Sequence, residues 1–256
     1  MAGVVRLVGM TNTNKTYALV TGANKGLGLE AARRLGAMGW TIFLGSRDEQ
    51  RGRAAVDELT AAGMDVVLVP LDVASDESVT AAAELVRTHT DRLDVLINNA
   101  GAPGKGTNPA LVTIDEIHSV FNTNVYGPIR VTNAFLPLLQ AAQNPRVVMV
   151  SSGGGAFSVV TDPGQAVSKM HELGYSSSKA ALNMVTVRYA QALPNIKFNV
   201  ATPGEIVNKK FAATDMNNNT GTLTVTEGTD SILRLATLDA DGPSGIFIDR
   251  LGPVAW

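Results

Sequence analysis

Seven short apolar runs, separated by longer stretches, constrain the fold of this chain more than any other feature. They are Tyr17–Thr21, Thr41–Gly45, Val66–Pro70, Asp94–Asn98, Val147–Val150, Ile196–Ala201 and Ile246–Ile248. Most are continuous and rich in Val, Ile and Leu rather than alternating, so both faces of these strands are expected to be buried. The stretches between them read as helices: Gly28–Met38, Asp48–Ala62 with Ala55, Val56 and Leu59 near helical spacing, Asp76–Thr88, Ile114–Ala142 with Pro128 and Pro137 as irregularities, Tyr175–Leu193 and Ser231–Thr237. This alternation builds βαβ units with right-handed crossovers. It predicts one α/β domain, a doubly wound parallel sheet of about seven strands with helices on both faces. No linker or repeat divides the 256 residues, a length that one domain can fill. The least regular segments, 153–174 and 205–226, are expected to line a substrate site, because long irregular stretches in a compact domain are often functional.

Composition excludes several kinds of chemistry. Cysteine is absent, so disulfides, thiolate catalysis and zinc–thiolate sites are ruled out. The three histidines, His89, His118 and His171, are scattered, and no metal site is expected. A net charge of -2 without long runs of one sign speaks against nucleic-acid binding or a basic membrane face. Met1–Met10 is short, is interrupted by Arg6 and lacks the layout of a signal peptide. No apolar stretch reaches membrane-spanning length. The expected compartment is the cytoplasm.

The first strand runs into Thr21-Gly22-Ala23-Asn24-Lys25-Gly26-Leu27-Gly28 and then a helix. Glycines in such a turn allow a tight bend, a close approach of phosphate and close helix–strand packing, while the helix N-terminus offers N–H groups to a pyrophosphate. The spacing Gly-x3-Gly-x-Gly differs from the common Gly-x-Gly-x2-Gly fingerprint. An alternative is a turn that merely eases packing; its place after the first strand favours nucleotide binding. The second strand ends Leu44-Gly45-Ser46-Arg47-Asp48. A carboxylate here serves the ribose 2′-OH of NAD, and a cation serves the 2′-phosphate of NADP. Ser46 and Arg47, with Lys25 from the turn, point to NADP(H), and Asp48 reads as the N-cap of the next helix. The alternative is that both cations are solvated surface groups.

Tyr175 and Lys179 are four residues apart and share a helix face. An ammonium near a phenol favours phenolate and is expected to lower the Tyr175 pKa toward the range useful to a general acid/base. Alone, Tyr-x3-Lys arises often by chance. The ordered set around it does not: the glycine-rich turn, Asp72-Val73 after the third strand, Asn98-Asn99-Ala100-Gly101 after the fourth, Asn124, Ser151-Ser152 after the fifth, Tyr175 and Lys179, and Pro203-Gly204 after the sixth. Together they closely resemble the classical short-chain dehydrogenase/reductase family, over nearly the whole chain from Thr16 onward.

That resemblance implies a Rossmann fold and assigns roles. Tyr175 would be the general acid for carbonyl reduction and the base for alcohol oxidation. Lys179 would lower its pKa and hold ribose hydroxyls. Ser152, the second of the serine pair, would hydrogen-bond the substrate oxygen, and Asn124 would hold a water of a proton relay. The cofactor would lie against Gly22, Asn24, Lys25, Gly26, Leu27 and Gly28, with Asp72 and Val73 at the adenine. Asn98, Ala100 and Gly101 would close the groove, near Pro203, Gly204 and Thr214. The partner implied is a small carbonyl or alcohol substrate, and a homo-oligomer through Ile114–Ala142 and Tyr175–Leu193 is a family-level expectation. Alternatives are an NAD(H)-dependent member of the family, and a nucleotide-sensing regulator without catalysis.

Two departures stand out. Ser152 and Tyr175 are 23 positions apart (175 − 152), which implies an insertion in Gly153–Gly174 such as carbonyl reductases of the family carry; these also share Asn24-Lys25-Gly26. His171 and Glu172, one turn before Tyr175, are candidates to face substrate. Second, the Thr expected soon after Pro203-Gly204 arrives only at Thr214-Asp215. Either Glu205–Lys210 is inserted, or another residue contacts the carboxamide.

Overall fold

In the computed structural model, which describes residues 15–106, 108–169 and 171–256, the chain alternates strand and helix as its apolar pattern predicts. The Met1–Met10 segment lies outside the described residues. In order come β1 (Tyr17–Val20), α1 (Gly26–Gly36), β2 (Thr41–Ser46), α2 (Glu49–Ala61), β3 (Asp65–Pro70), α3 (Asp76–His89) and β4 (Val95–Asn98). Then follow α4 (Ile114–Phe121), α5 (Gly127–Gln140), β5 (Arg146–Val150), α6 (Phe157–Val160), α7 (Leu173–Ala192) and β6 (Lys197–Ala201). A two-stranded hairpin, β7 (Gly204–Glu205) and β8 (Lys210–Phe211), precedes α8 (Val225–Gly228), α9 (Asp230–Ala236) and β9 (Phe247–Ile248).

Seven strands form one sheet in the order β3-β2-β1-β4-β5-β6-β9, with every neighbouring pair parallel. The order reverses between β1 and β4. Their carboxyl ends therefore open a crevice at the topological switch point, where ligands bind in sheets of this kind. Successive residues of β1 face opposite layers: Leu19 joins Phe43, Leu96, Phe135 and Leu182 on the α3–α5–α7 side, whereas Ala18 and Val20 join Ala31, Leu35 and Leu59 on the α1–α2–α9 side. Both faces are covered, which is why these strands read as unbroken apolar runs. Among the described residues, no helix is long and apolar enough to cross a membrane.

One expectation needs correction, and two irregular segments gain definition. The single helix Ile114–Ala142 is two helices joined by a π-helical turn, Asn122–Tyr126. Pro128 follows this turn directly, in the first turn of α5, and Pro137 lies inside α5. Segment 153–174 is ordered by a tight turn at Gly153–Gly155 and by α6. Ser158 of α6 donates through its N–H to the Trp256 carbonyl (3.2 Å) and through its hydroxyl to the Ala255 carbonyl (2.7 Å). Segment 205–226 holds the β7–β8 hairpin, whose base is fixed by an ion pair between buried Glu205 and Arg250 (2.5 Å). Arg250 also pairs with Asp230 (2.9 Å), which in turn binds Arg34 of α1.

Candidate active site

Helix α1 differs from its neighbours at the start. Asp48 accepts from the Arg51 N–H (3.0 Å) at α2, Ser75 from Ser78 at α3 and Thr113 from Glu116 at α4. At α1 the N-cap is Lys25, and no side chain caps it. The first-turn N–H groups of α1 are thus left for an anion. The glycines leave room for one. Gly22 and Gly26 have positive φ (62° and 55°). A Cβ at Gly28 would lie 2.5 Å from both the Asn99 side-chain nitrogen and the Gly22 carbonyl oxygen. These features fit a dinucleotide's pyrophosphate.

Asn99 holds this turn, although the sequence singled out Asn98. Its side-chain amide donates to the carbonyls of Thr21 (2.8 Å) and Gly22 (3.1 Å), and the Thr21 hydroxyl accepts from the N–H groups of Asn99 and Ala100. Asn98 instead points beneath α5, where it donates to the Thr132 hydroxyl (3.2 Å). The strand period could have separated the two: Asn98 shares a face with Leu96 on the α5 side, and Asn99 follows Ile97 toward α1.

The residues expected around a 2′-phosphate divide. Arg47 is exposed, with no partner among the described residues. Asp48 is the N-cap that the sequence suggested. Ser46 is fully buried and donates to the Asp48 carbonyl (2.7 Å), so its hydroxyl is not offered to a ligand. Lys25 pairs with Asp215 (2.7 Å). Asp72 accepts from the Ala74 N–H (3.0 Å), a local turn, and Val73 packs against Gly127 at the head of α5.

Tyr175, Ser152, Lys179 and Asn124 converge beyond the ends of β4 and β5. The Ser152 hydroxyl is hydrogen-bonded to the Tyr175 phenol and accepts from the Gly154 N–H (3.1 Å). Ser151 is buried under α7, so the second serine is the one beside the phenol. Lys179 is buried and donates to the Val150 carbonyl (2.9 Å), with its ammonium 5.7 Å from the centre of the Tyr175 ring. Burial pushes the phenol up to about 12; the Ser152 hydrogen bond opposes this and the negative charge of Glu172 adds to it. The expected lowering by Lys179 is therefore not met in this arrangement: desolvation wins. Burial also lowers the Lys179 ammonium to about 8, near enough to neutrality for it to lose and regain a proton.

Asn124 sits within the π-helical turn and is fully buried. Its amide donates to the Ala102 carbonyl and the Ser178 hydroxyl (both 3.0 Å), and its oxygen accepts from the Ala102 N–H (2.8 Å). The side chain staples the loop after β4 to α7. Gly101 lies where the groups meet: a Cβ there would stand 3.5 Å from the Asn124 oxygen and from Met216, and 3.7 Å from the Lys179 ammonium.

The late Thr214 is explained by the hairpin. Residues 205–210 leave and return, so that the Ala212 N–H donates to the Pro203 carbonyl (3.0 Å). Thr214 thus follows Pro203-Gly204 closely in space, and its N–H is held by the Asn217 side chain (3.1 Å).

Comparison with known proteins agrees with this geometry. The sequence profile of the short chain dehydrogenase family matches residues 16–221. Short-chain dehydrogenase/reductase 1 of Saponaria officinalis is 34% identical, over 92% of this chain and 94% of its own length. The (+)-neomenthol dehydrogenase of Arabidopsis thaliana is also 34% identical, over 94% and 98%. These two alignments run over 293 and 296 positions against 256 residues here, so both relatives carry segments that this chain lacks. Among solved structures, NADPH-bound carbonyl reductase from chicken fatty liver superposes with a TM-score of 0.81 at 28% identity, covering 94% of this chain and 98% of that one.

Proposed function

This chain belongs to the short-chain dehydrogenase/reductase family, and we propose that within it the chain is an NADP(H)-dependent carbonyl reductase. The observation that carries the reading is the Ser152–Tyr175–Lys179 cluster placed at the same sheet edge as the uncapped start of α1. Relatives named neomenthol dehydrogenase and carbonyl reductase support carbonyl/alcohol chemistry. For NADP over NAD, the support is that the glycine-rich turn and the end of β2 offer the cations Lys25 and Arg47, while the carboxylate of the β2–α2 turn, Asp48, is engaged in capping.

Bound NADPH supplies a hydride to the substrate carbon. Ser152 and Tyr175 hold the carbonyl oxygen and stabilise the negative charge that develops on it. Tyr175 then donates its proton to that oxygen, and Lys179 carries compensating charge beside it. A phenol pushed up to about 12 is protonated at neutral pH, which suits reduction more than alcohol oxidation.

The test is NADPH and NADH oxidation over aldehydes, aryl ketones, keto esters, steroids and quinones. A kcat/KM advantage for NADPH of roughly tenfold or more is expected, the yield of one charge-assisted hydrogen bond to the phosphate. A preference for NADH, or NADPH binding without turnover on any of these, overturns the reading. Glu172 adds a pH prediction. Its carboxylate raises the phenol pKa, so Glu172→Gln is expected to let Tyr175 ionise at lower pH. The alkaline limb of kcat/KM for reduction then moves downward in pH; a limb that stays or moves upward contradicts the coupling.

A further inference from the structure

We propose that Asp215 is a cofactor-selectivity residue, an internal anion that competes with the 2′-phosphate of NADP(H) for Lys25. This rests on the NADP(H) reading above. Asp215 belongs to the segment after the β7–β8 hairpin, 190 positions from Lys25, and accepts from its ammonium at 2.7 Å. The bond to Lys25 is the main influence that holds the Asp215 carboxyl below its ordinary range, and Arg51 of α2 adds to it. Asp215 thus sits in the positive field of the glycine-rich turn and the start of α2, where a 2′-phosphate would be received.

The pair bridges two elements that a cofactor must lie between. Lys25 is the N-cap of α1. The residue after Asp215, Met216, reaches the Gly101 position beside Lys179. With Asp215 on Lys25, the 212–219 segment spans the groove from the glycine-rich turn to the catalytic lysine. Both partners keep over half of their side-chain surface exposed (53% and 65%), so the pair is weak and exchangeable. A 2′-phosphate carries more charge than a carboxylate and can replace Asp215 on Lys25; a ribose 2′-OH cannot. The contact therefore opposes every ligand of Lys25, but only a ligand with a 2′-phosphate repairs the loss.

Calorimetric titration of 2′,5′-ADP and 5′-AMP into the full chain separates the possibilities, because the two probes differ only in that phosphate. Wild type is expected to bind 2′,5′-ADP more tightly; equal affinities would overturn the NADP(H) reading and this proposal with it. Asp215→Asn is expected to tighten 2′,5′-ADP about threefold, the scale of an exposed ion pair, and to leave 5′-AMP unchanged. In a Lys25→Met background the same substitution is expected to have no effect. If wild type prefers 2′,5′-ADP but Asp215→Asn leaves its affinity unchanged, tightens both probes alike, or acts equally without Lys25, the competition is refuted while the cofactor reading stands.

Discussion

Tyr175→Phe is expected to lower kcat for carbonyl reduction about a thousandfold while leaving the fold and cofactor affinity nearly intact. The size follows from what one positioned general acid contributes, about 10²–10⁴ in rate. Phe keeps the Cβ beside Gly104 and the ring next to the Lys179 ammonium, so packing is retained. What disappears is the only proton donor in the cluster besides Ser152 and Lys179. Neither replaces it: the Ser152 hydroxyl is a far weaker acid, and the Lys179 ammonium is directed at the Val150 carbonyl. The stability change should stay near the ~1 kcal/mol of one lost hydrogen bond, that from Ser152. Steady-state kinetics with NADPH, together with a thermal melt, checks both halves. Carbonyl reduction close to wild type in the variant would remove Tyr175 from the mechanism.

The division between what the sequence disclosed and what it concealed follows the range of the interactions. The sheet was legible because burial on both faces leaves a local signature, and the cap Asp48 lies beside the helix it starts. The Tyr175–Lys179 pair was legible because one helix face carries both. The hairpin at residues 204–211 was not, since what fixes its base is Glu205 meeting Arg250 from the far end of the chain. The π-helical turn was also concealed. It is accompanied by the triple contact of Asn124 with Ala102 and Ser178, which come from a loop and a different helix. Electrostatics was misjudged for a related reason: a Tyr–Lys pair predicts a lowered phenol pKa, but the burial that raises it belongs to the assembled site. Lys25 carries the same lesson, because nothing near it in sequence announces Asp215.

Gly155 illustrates how far such long-range fitting reaches, and replacing it with alanine should disrupt both the fold and the site. Its φ is not in the left-handed region, so the constraint is space rather than backbone freedom. A Cβ there would lie 2.6 Å from the Lys179 carbonyl carbon, 2.8 Å from the Ala180 nitrogen and 2.8 Å from the Lys179 Cβ. Two of these atoms are helix backbone and cannot rotate away, so α7 or the Gly153–Gly155 turn must shift. Overpacking of this kind costs about 1–3 kcal/mol, which for a chain of this length lowers Tm by roughly 2–12 °C. The displacement also reaches the chemistry. The Gly155 N–H is bound to the Ser152 carbonyl (3.0 Å), and the helix being pushed carries Tyr175 and Lys179. Misplacing reacting groups by about 1 Å can cost a hundredfold in rate. Gly153→Ala is the natural control. Its Cβ would meet Ile206 Cδ1 at 2.6 Å, the far end of a flexible side chain on the hairpin turn, and that side chain can move aside. Thermal melts and kcat should therefore rank Gly155→Ala well below Gly153→Ala and wild type. A Gly155→Ala enzyme that melts within about a degree of wild type and turns over normally would show that α7 has room the geometry does not grant it.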